Sequence, residues 1–347
     1  MMFDRRLLVA ACFLLASMTA SQAVTSQPEF YSSVAILKWI NSYRSKPNPM
    51  RAAAAIHELS QLGELHSQES AGVYVGFAAG VLAANPSKAD ALIDKMLPMP
   101  PEDQWLVVRA IAYSGIPQWR QLLARIAPKV PARGPMLQKY IAGKLPVMTQ
   151  FRLNKPQEGW LQRTTQLFTI ASKPKEKPVV LQPSPELLDT FWGYYFATGD
   201  STSLQHIISL LSWSKNRDEV DKLTLGSMAK YTLAENASRD PVLLATLKAV
   251  RNSPPEDTRL VLAEVIEAAD DVDVSRVRSE MLAALDELKR KGSAFKRNVG
   301  FWGKVGEGAI AAGCIAATVA GQLQFGIPCV VGGAVSSGAI NLWSSQN

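Results

Sequence analysis

The sequence is poor in the residues from which metal sites and nucleophile pairs are built, with three cysteines and three histidines among 347 residues. A zinc protease needs two histidines on one helical face, and His57-Glu58 has no second histidine at that spacing, while His66 and His206 stand apart. Alternating β-branched runs are almost absent, so a sandwich or barrel is excluded. Only 145–153 and Pro178-Val179-Val180-Leu181 read as short extended pieces. A phosphate loop is lacking too, because Gly303-Lys304 has neither the upstream glycine nor the Ser or Thr that such a loop needs, and no Gly-x-Ser-x-Gly elbow occurs. Asp271-Val272-Asp273-Val274-Ser275 begins like a calcium loop, but Arg276 stands where glycine must turn the chain and Leu282 where the bidentate Glu belongs. It reads instead as the cap region of the next helix. No metal and no cofactor is expected.

Apolar residues make up 47% of the chain and charged residues 19%, enough apolar material for one large core or two ordinary ones. The first residues carry an address. Arg5 and Arg6 precede an apolar run from Leu7 to Leu15 that is too short to span a bilayer, and small residues lead to Ser21-Gln22-Ala23. This is the pattern of a secretory signal peptide over residues 1–23, cleaved between Ala23 and Val24. An exported chain meets an oxidising compartment, which makes Cys314 and Cys329 candidates for a disulfide.

From Phe30 to Lys291 apolar residues recur at three- and four-residue spacing, punctuated by Pro, Asn-Pro and Gly, which predicts an all-α fold. Helices are expected over 31–44, 50–62, 69–84, 87–97, 102–114, 117–126, 134–143 and 158–171. A second series follows over 185–197, 201–212, 217–235, 240–251, 255–268 and 273–291. Pro100-Pro101-Glu102-Asp103 and Pro254-Pro255-Glu256-Asp257 repeat one start device, in which proline fits the first turn and the acids face the positive end of the helix dipole. Ser184-Pro185-Glu186 is a looser third copy. Such units suggest a helical-repeat-like body, an α-solenoid or curved array of helix pairs, with an irregular bundle as the alternative. The Lys- and Pro-rich stretch 172–184 reads as a linker between an N-terminal half, 24–171, and a C-terminal half, 185–291.

Net charge is +7, and most of the excess lies near the C-terminus, where Lys289, Arg290, Lys291, Lys296, Arg297 and Lys304 face only Glu307. The helical body is therefore nearly neutral, which excludes a field suited to nucleic acid. No charged residue follows Glu307. Gln322, Gln324, Gly326 and Pro328 split this glycine-rich apolar run into two pieces, each short of the roughly 20 residues a spanning helix needs. Residues 292–347 are thus expected to form a basic segment and an apolar helical hairpin that meets anionic headgroups and inserts shallowly, or packs against the body.

Little else suggests chemistry. Ser212-Trp213-Ser214-Lys215 and Ser227-Met228-Ala229-Lys230 have the spacing that lets a lysine activate a serine, but no Lys-Thr-Gly partner accompanies them. Glu69-Ser70 resembles the Glu-Ser dipeptide of lytic transglycosylases, exported enzymes in which one glutamic acid protonates a glycosidic oxygen and an α-superhelix often flanks the catalytic domain. The resemblance covers two residues, the downstream Gly-Leu-Met-Gln of those enzymes is missing, and Val73–Val81 is too apolar for a carbohydrate groove. A helix N-terminal acid is the preferred reading of Glu69. Phe191, Trp192, Tyr194, Tyr195 and Phe196 form the densest aromatic cluster, read by default as core and otherwise, through Trp192, Tyr194 and Tyr195, as a partner surface. The expected protein is an exported, non-enzymatic helical scaffold or interaction protein of the cell envelope, associated with lipid headgroups and another envelope protein. The alternatives are an enzyme acting on a cell-wall polymer and a secreted effector whose tail enters a target membrane.

Overall fold

The computed structural model describes residues 30–68, 70–153, 179–271 and 273–295. The leader with Ala23 and Val24, Glu69, the expected helix 158–171, residues 172–178 and the tail with Lys296, Arg297, Lys304, Cys314 and Cys329 lie outside the described residues. Thirteen α-helices and no strand occur among the described residues. They are α1 (Ser33–Ser42), α2 (Pro49–Gln61), α3 (Gly72–Ala84), α4 (Ala89–Met96), α5 (Trp105–Tyr113), α6 (Trp119–Ile126) and α7 (Gly134–Ile141). After the undescribed stretch come α8 (Pro185–Thr198), α9 (Ser201–Ser209), α10 (Val220–Ala237), α11 (Pro241–Val250), α12 (Glu256–Asp270) and α13 (Ser275–Phe295).

Several starts follow from local chemistry. A polar side chain just before the helix accepts from an orphan backbone N–H, and proline often takes the first helical position, where no internal bond is lost. Asn48 accepts from Arg51 N at 3.1 Å before Pro49. Ser184 accepts from Leu187 N at 3.0 Å before Pro185. Asp240 accepts from Val242 N and Leu243 N at 3.0 and 3.1 Å before Pro241. The two extended pieces also meet, since Phe151 and Leu181 form an isolated parallel bridge. In it, Arg152 N donates to Leu181 O and Leu181 N to Gln150 O, each at 3.1 Å.

One repeated device has two outcomes. At Pro254-Pro255-Glu256-Asp257 the helix begins at Glu256 with both acids in its first turn, as expected. At Pro100-Pro101-Glu102-Asp103 the same residues form turns, and the helix waits until Trp105. Asp103 is fully buried there and accepts the Ser60 hydroxyl at 2.6 Å. A tertiary hydrogen bond in the interior outcompetes the dipole contact at a solvated helix end.

The architecture is organised around α3. An amphipathic helix lies on a surface, whereas a helix apolar on every side is enclosed, and α3 is buried from Gly72 through Leu82. Its glycines fall every fourth residue, on one face, and α8 lies against that face. A Cβ on Gly72 would come closer than 3.0 Å to the Glu186 carbonyl, one on Gly76 to the Thr190 carbonyl, and one on Gly80 to Ala197 Cβ. Gly193 answers from α8, where a Cβ would meet Val73 O and Phe77 N. The contacts advance together along both chains, so α3 and α8 run parallel with their backbones touching. Sequence neighbours joined by short loops run antiparallel, so a parallel pair requires a long crossover, here the chain from α4 to the start of α8. One contiguous buried core runs from Phe30 to Met281 and draws on both regions flanking 172–184.

Candidate functional site

The aromatic cluster that the sequence offers as a partner surface is interior. Trp192 is 0% exposed and Tyr195 3%, while Tyr194 is half-buried and its hydroxyl donates to Ser114 O at 3.3 Å. Trp192 stacks on Phe196 with 5.5 Å between ring centroids, and its indole N–H donates to Thr232 Oγ1 at 3.0 Å. The physical reason is the glycine face of α3, which draws α8 into the centre and leaves both sides of α8 covered. Trp192 and Tyr195 are therefore core residues, and a docking surface must be sought elsewhere.

The Ser-x-x-Lys at Ser227 and Lys230 is also interior. Lys230 is 1% exposed, and its ammonium donates to Glu264 of α12 at 2.5 Å and to Glu280 of α13. Lys215 reaches the other oxygen of Glu264 at 3.1 Å. Burial pushes the Glu264 carboxyl up, but hydrogen bonds from Lys230 and Lys215 outweigh it and hold the group below its ordinary value. With its ammonium engaged by carboxylates on two neighbouring helices, Lys230 ties α10, α12 and α13 together.

A second ion pair joins residues from either side of 172–184. Arg109 of α5 pairs with Glu186 of α8, donates to Gln68 Oε1 at 3.2 Å, and lies 4.9 Å from the Trp105 ring centroid. Burial works against its charge, and Glu186 with the neighbouring Tyr113 and Tyr140 hydroxyls more than offsets that. Among the described residues no group of three His, Cys, Asp or Glu could hold a metal ion. His206 packs between Phe151 and Phe191, 4.7 and 4.9 Å from their centroids, and burial lowers its pKa.

An open cleft with a volume of about 520 Å³ carries several cationic side chains. One wall is the end of α1 and the turn after it, with Lys38, Asn41, Ser42, Arg44 and Ser45; the other is the junction of α10 and α11, with Asn236, Arg239 and Asp240. Arg44 is held from two sides, by its ion pair with Asp240 and by the Tyr195 ring 4.6 Å beneath its guanidinium. Gly199 ends α8 in the left-handed conformation, φ +71°, and a side chain there would reach Arg44 Cδ at 3.0 Å. Arg239 pairs with Glu235 one turn earlier on α10. Sequence reading missed this cleft because its walls come from segments far apart in the chain. In the cap region before α13, Asp273 accepts from Ser275 N at 3.0 Å.

At the opposite end of α10 lies the start of the basic tail. Lys230 meets Glu280 and Glu235 lies near Arg278, so α13 runs antiparallel to α10. Val277, Met281 and Ala284 are buried one and two turns apart on the inner face of α13. The last turns of α13 carry Lys289, Arg290 and Lys291, and Arg290 pairs with Glu287 one turn earlier on the same helix. No helix among the described residues is long and apolar enough to cross a membrane.

No family, no curated protein and no solved structure matches the chain.

Proposed function

We propose that this chain is an exported, non-enzymatic helical scaffold of the cell envelope that associates with membrane through its C-terminal segment and presents its body to another envelope protein. The observation that carries this reading is the division of charge: a nearly neutral body, then Lys289, Arg290, Lys291, Lys296, Arg297 and Lys304, then an uncharged glycine-rich run to the C-terminus. Each cation close to an anionic bilayer contributes about 1 kcal/mol, and an apolar segment behind them supplies the second anchor that stable attachment requires. The leader pattern that ends at Ala23 supports export of the chain. The course of α13 supports the same reading, because Lys289, Arg290 and Lys291 stand in its last turns, just before the apolar run. For the body, the parallel α3–α8 contact favours a bundle wound about one central helix over an open array, whose contacts lie between neighbouring repeats.

The rival enzymatic reading rests on Glu69, and a glycosidase also needs an open groove lined for sugar. The helix that follows Glu69 is instead buried throughout, from Gly72 to Leu82. Cell fractionation separates the readings: the full chain is expected to stay with membranes through a high-salt wash and leave only with detergent, while a chain ending at Arg297 is released by salt. Release of both chains without detergent removes the tail as an anchor. Turnover of peptidoglycan that is lost in Glu69→Gln would replace the scaffold with the enzyme.

A further inference from the structure

We infer that the cleft between α1 and the α10–α11 junction is a binding site for a phosphate-bearing ligand. This goes beyond the scaffold reading and does not depend on the tail, because the basic end of α13 lies at the far end of α10.

The lining brings Lys38, Arg44 and Arg239 together against one lining carboxylate, Asp240. Behind Arg239 sits Glu235, whose carboxyl burial raises above its ordinary value even against Arg239 and Arg278. Counting it still leaves the cations in excess. Guanidinium groups present N–H donors in a fork that matches two oxygens of a phosphate, and lysine adds a point charge. The Ser42 and Ser45 hydroxyls already donate to Trp39 O at 3.0 Å and to Ser42 O at 2.7 Å, so the cations carry the recognition. Arg44 is already oriented by Asp240 and Tyr195, so little of its freedom is lost on binding. The nearby start of α11 does not serve as the anion site, because the Asp240 carboxylate already accepts from Val242 N and Leu243 N. The volume of about 520 Å³ accommodates more than one phosphate group, as for a phosphorylated metabolite or a phospholipid headgroup.

Isothermal titration of the mature full-length chain tests this with two probes, inorganic phosphate and a water-soluble short-chain phosphatidate. Lys38→Gln removes one cation, and Ser45→Asp places a carboxylate in the cleft; both positions are exposed, so neither change disturbs the core. Saturable one-to-one binding is expected, weakened at least about tenfold by either substitution, the effect of one lost charge-assisted contact. Lys95→Gln, an exposed cation on α4, should leave it unchanged. Binding of both probes assigns the site to phosphate groups in general, and binding of phosphatidate alone to a lipid headgroup. Absence of saturable binding with both probes, or equal weakening by Lys95→Gln, overturns the inference.

Discussion

Gly76→Ala is expected to destabilise the protein by about 3 kcal/mol, at the upper end of what overpacking costs, although alanine is the better helix former by about 1 kcal/mol. The added methyl would lie closer than 3.0 Å to the backbone carbonyl of Thr190, and a carbonyl in the middle of α8 cannot rotate away as a side chain can. The two helices must separate, opening the core along their length. Gly193→Ala, which meets Val73 O and Phe77 N from the other side, should cost a similar amount. Combined with Gly76→Ala it should cost less than the two together, since the same interface is already open. Gly134→Ala is the contrasting case. Nothing beyond its chain neighbours lies within 4 Å of its added Cβ, but Gly134 is helical (φ −46°, ψ −49°) and precedes Pro135, whose ring crowds a Cβ there. The gain from a stiffer unfolded chain is therefore offset, and only a small change in stability is expected. Urea unfolding of the four variants reads all of this. A wild-type midpoint for Gly76→Ala would mean that α3 and α8 do not touch through their backbones.

Glu264→Gln combined with Glu280→Gln is expected to cost about 3 kcal/mol, because it leaves the Lys230 ammonium buried with no counter-charge. Adding Lys230→Met should recover most of that loss, since an apolar side chain of similar length fills the same space without a charge to compensate. A structural lysine and a catalytic one differ here, because a catalytic lysine loses activity on conversion to Met while the fold gains. The pH dependence follows from Glu264. Its folded pKa is held below the unfolded value of about 4.3. The contribution is therefore fully present above that value and is lost as pH falls through the lower folded pKa. Urea midpoints measured from neutral to acid pH should show this decline in the wild type, and a shallower one in Glu264→Gln. An equal decline in both would remove Glu264 from the acid response.

The helices were legible wherever their causes were local. Ser184-Pro185-Glu186 marks the start of α8, Asp240-Pro241 that of α11 and Pro255-Glu256-Asp257 that of α12, because cap, proline and first-turn acid all lie within a few residues. The start of α5 was not legible, since Asp103 answers to Ser60, a partner distant in sequence. The glycines of α3 carried a signal, a spacing of four within an apolar helix, but which helix lies against them is a tertiary fact. The same unknown hid the fate of Trp192 and Tyr195, whose residue types suit a core and an interface equally. The cleft was hidden for a related reason, since Lys38, Arg44 and Arg239 look like scattered surface cations until the fold brings them together. The basic and apolar composition of the tail was plain, because charge and hydropathy need no fold to be read.

Flotation on vesicles tests the central proposal most directly, using the mature chain and a version ending at Arg297 with phosphatidylcholine vesicles that contain or lack phosphatidylserine. Both versions should float with the anionic vesicles at low salt, where Lys289, Arg290, Lys291, Lys296 and Arg297 act alone or together with the tail. After salt is raised, the full chain should remain bound through its apolar segment and the shortened one should sink. A full chain that sinks with its shortened counterpart contradicts membrane attachment by the tail.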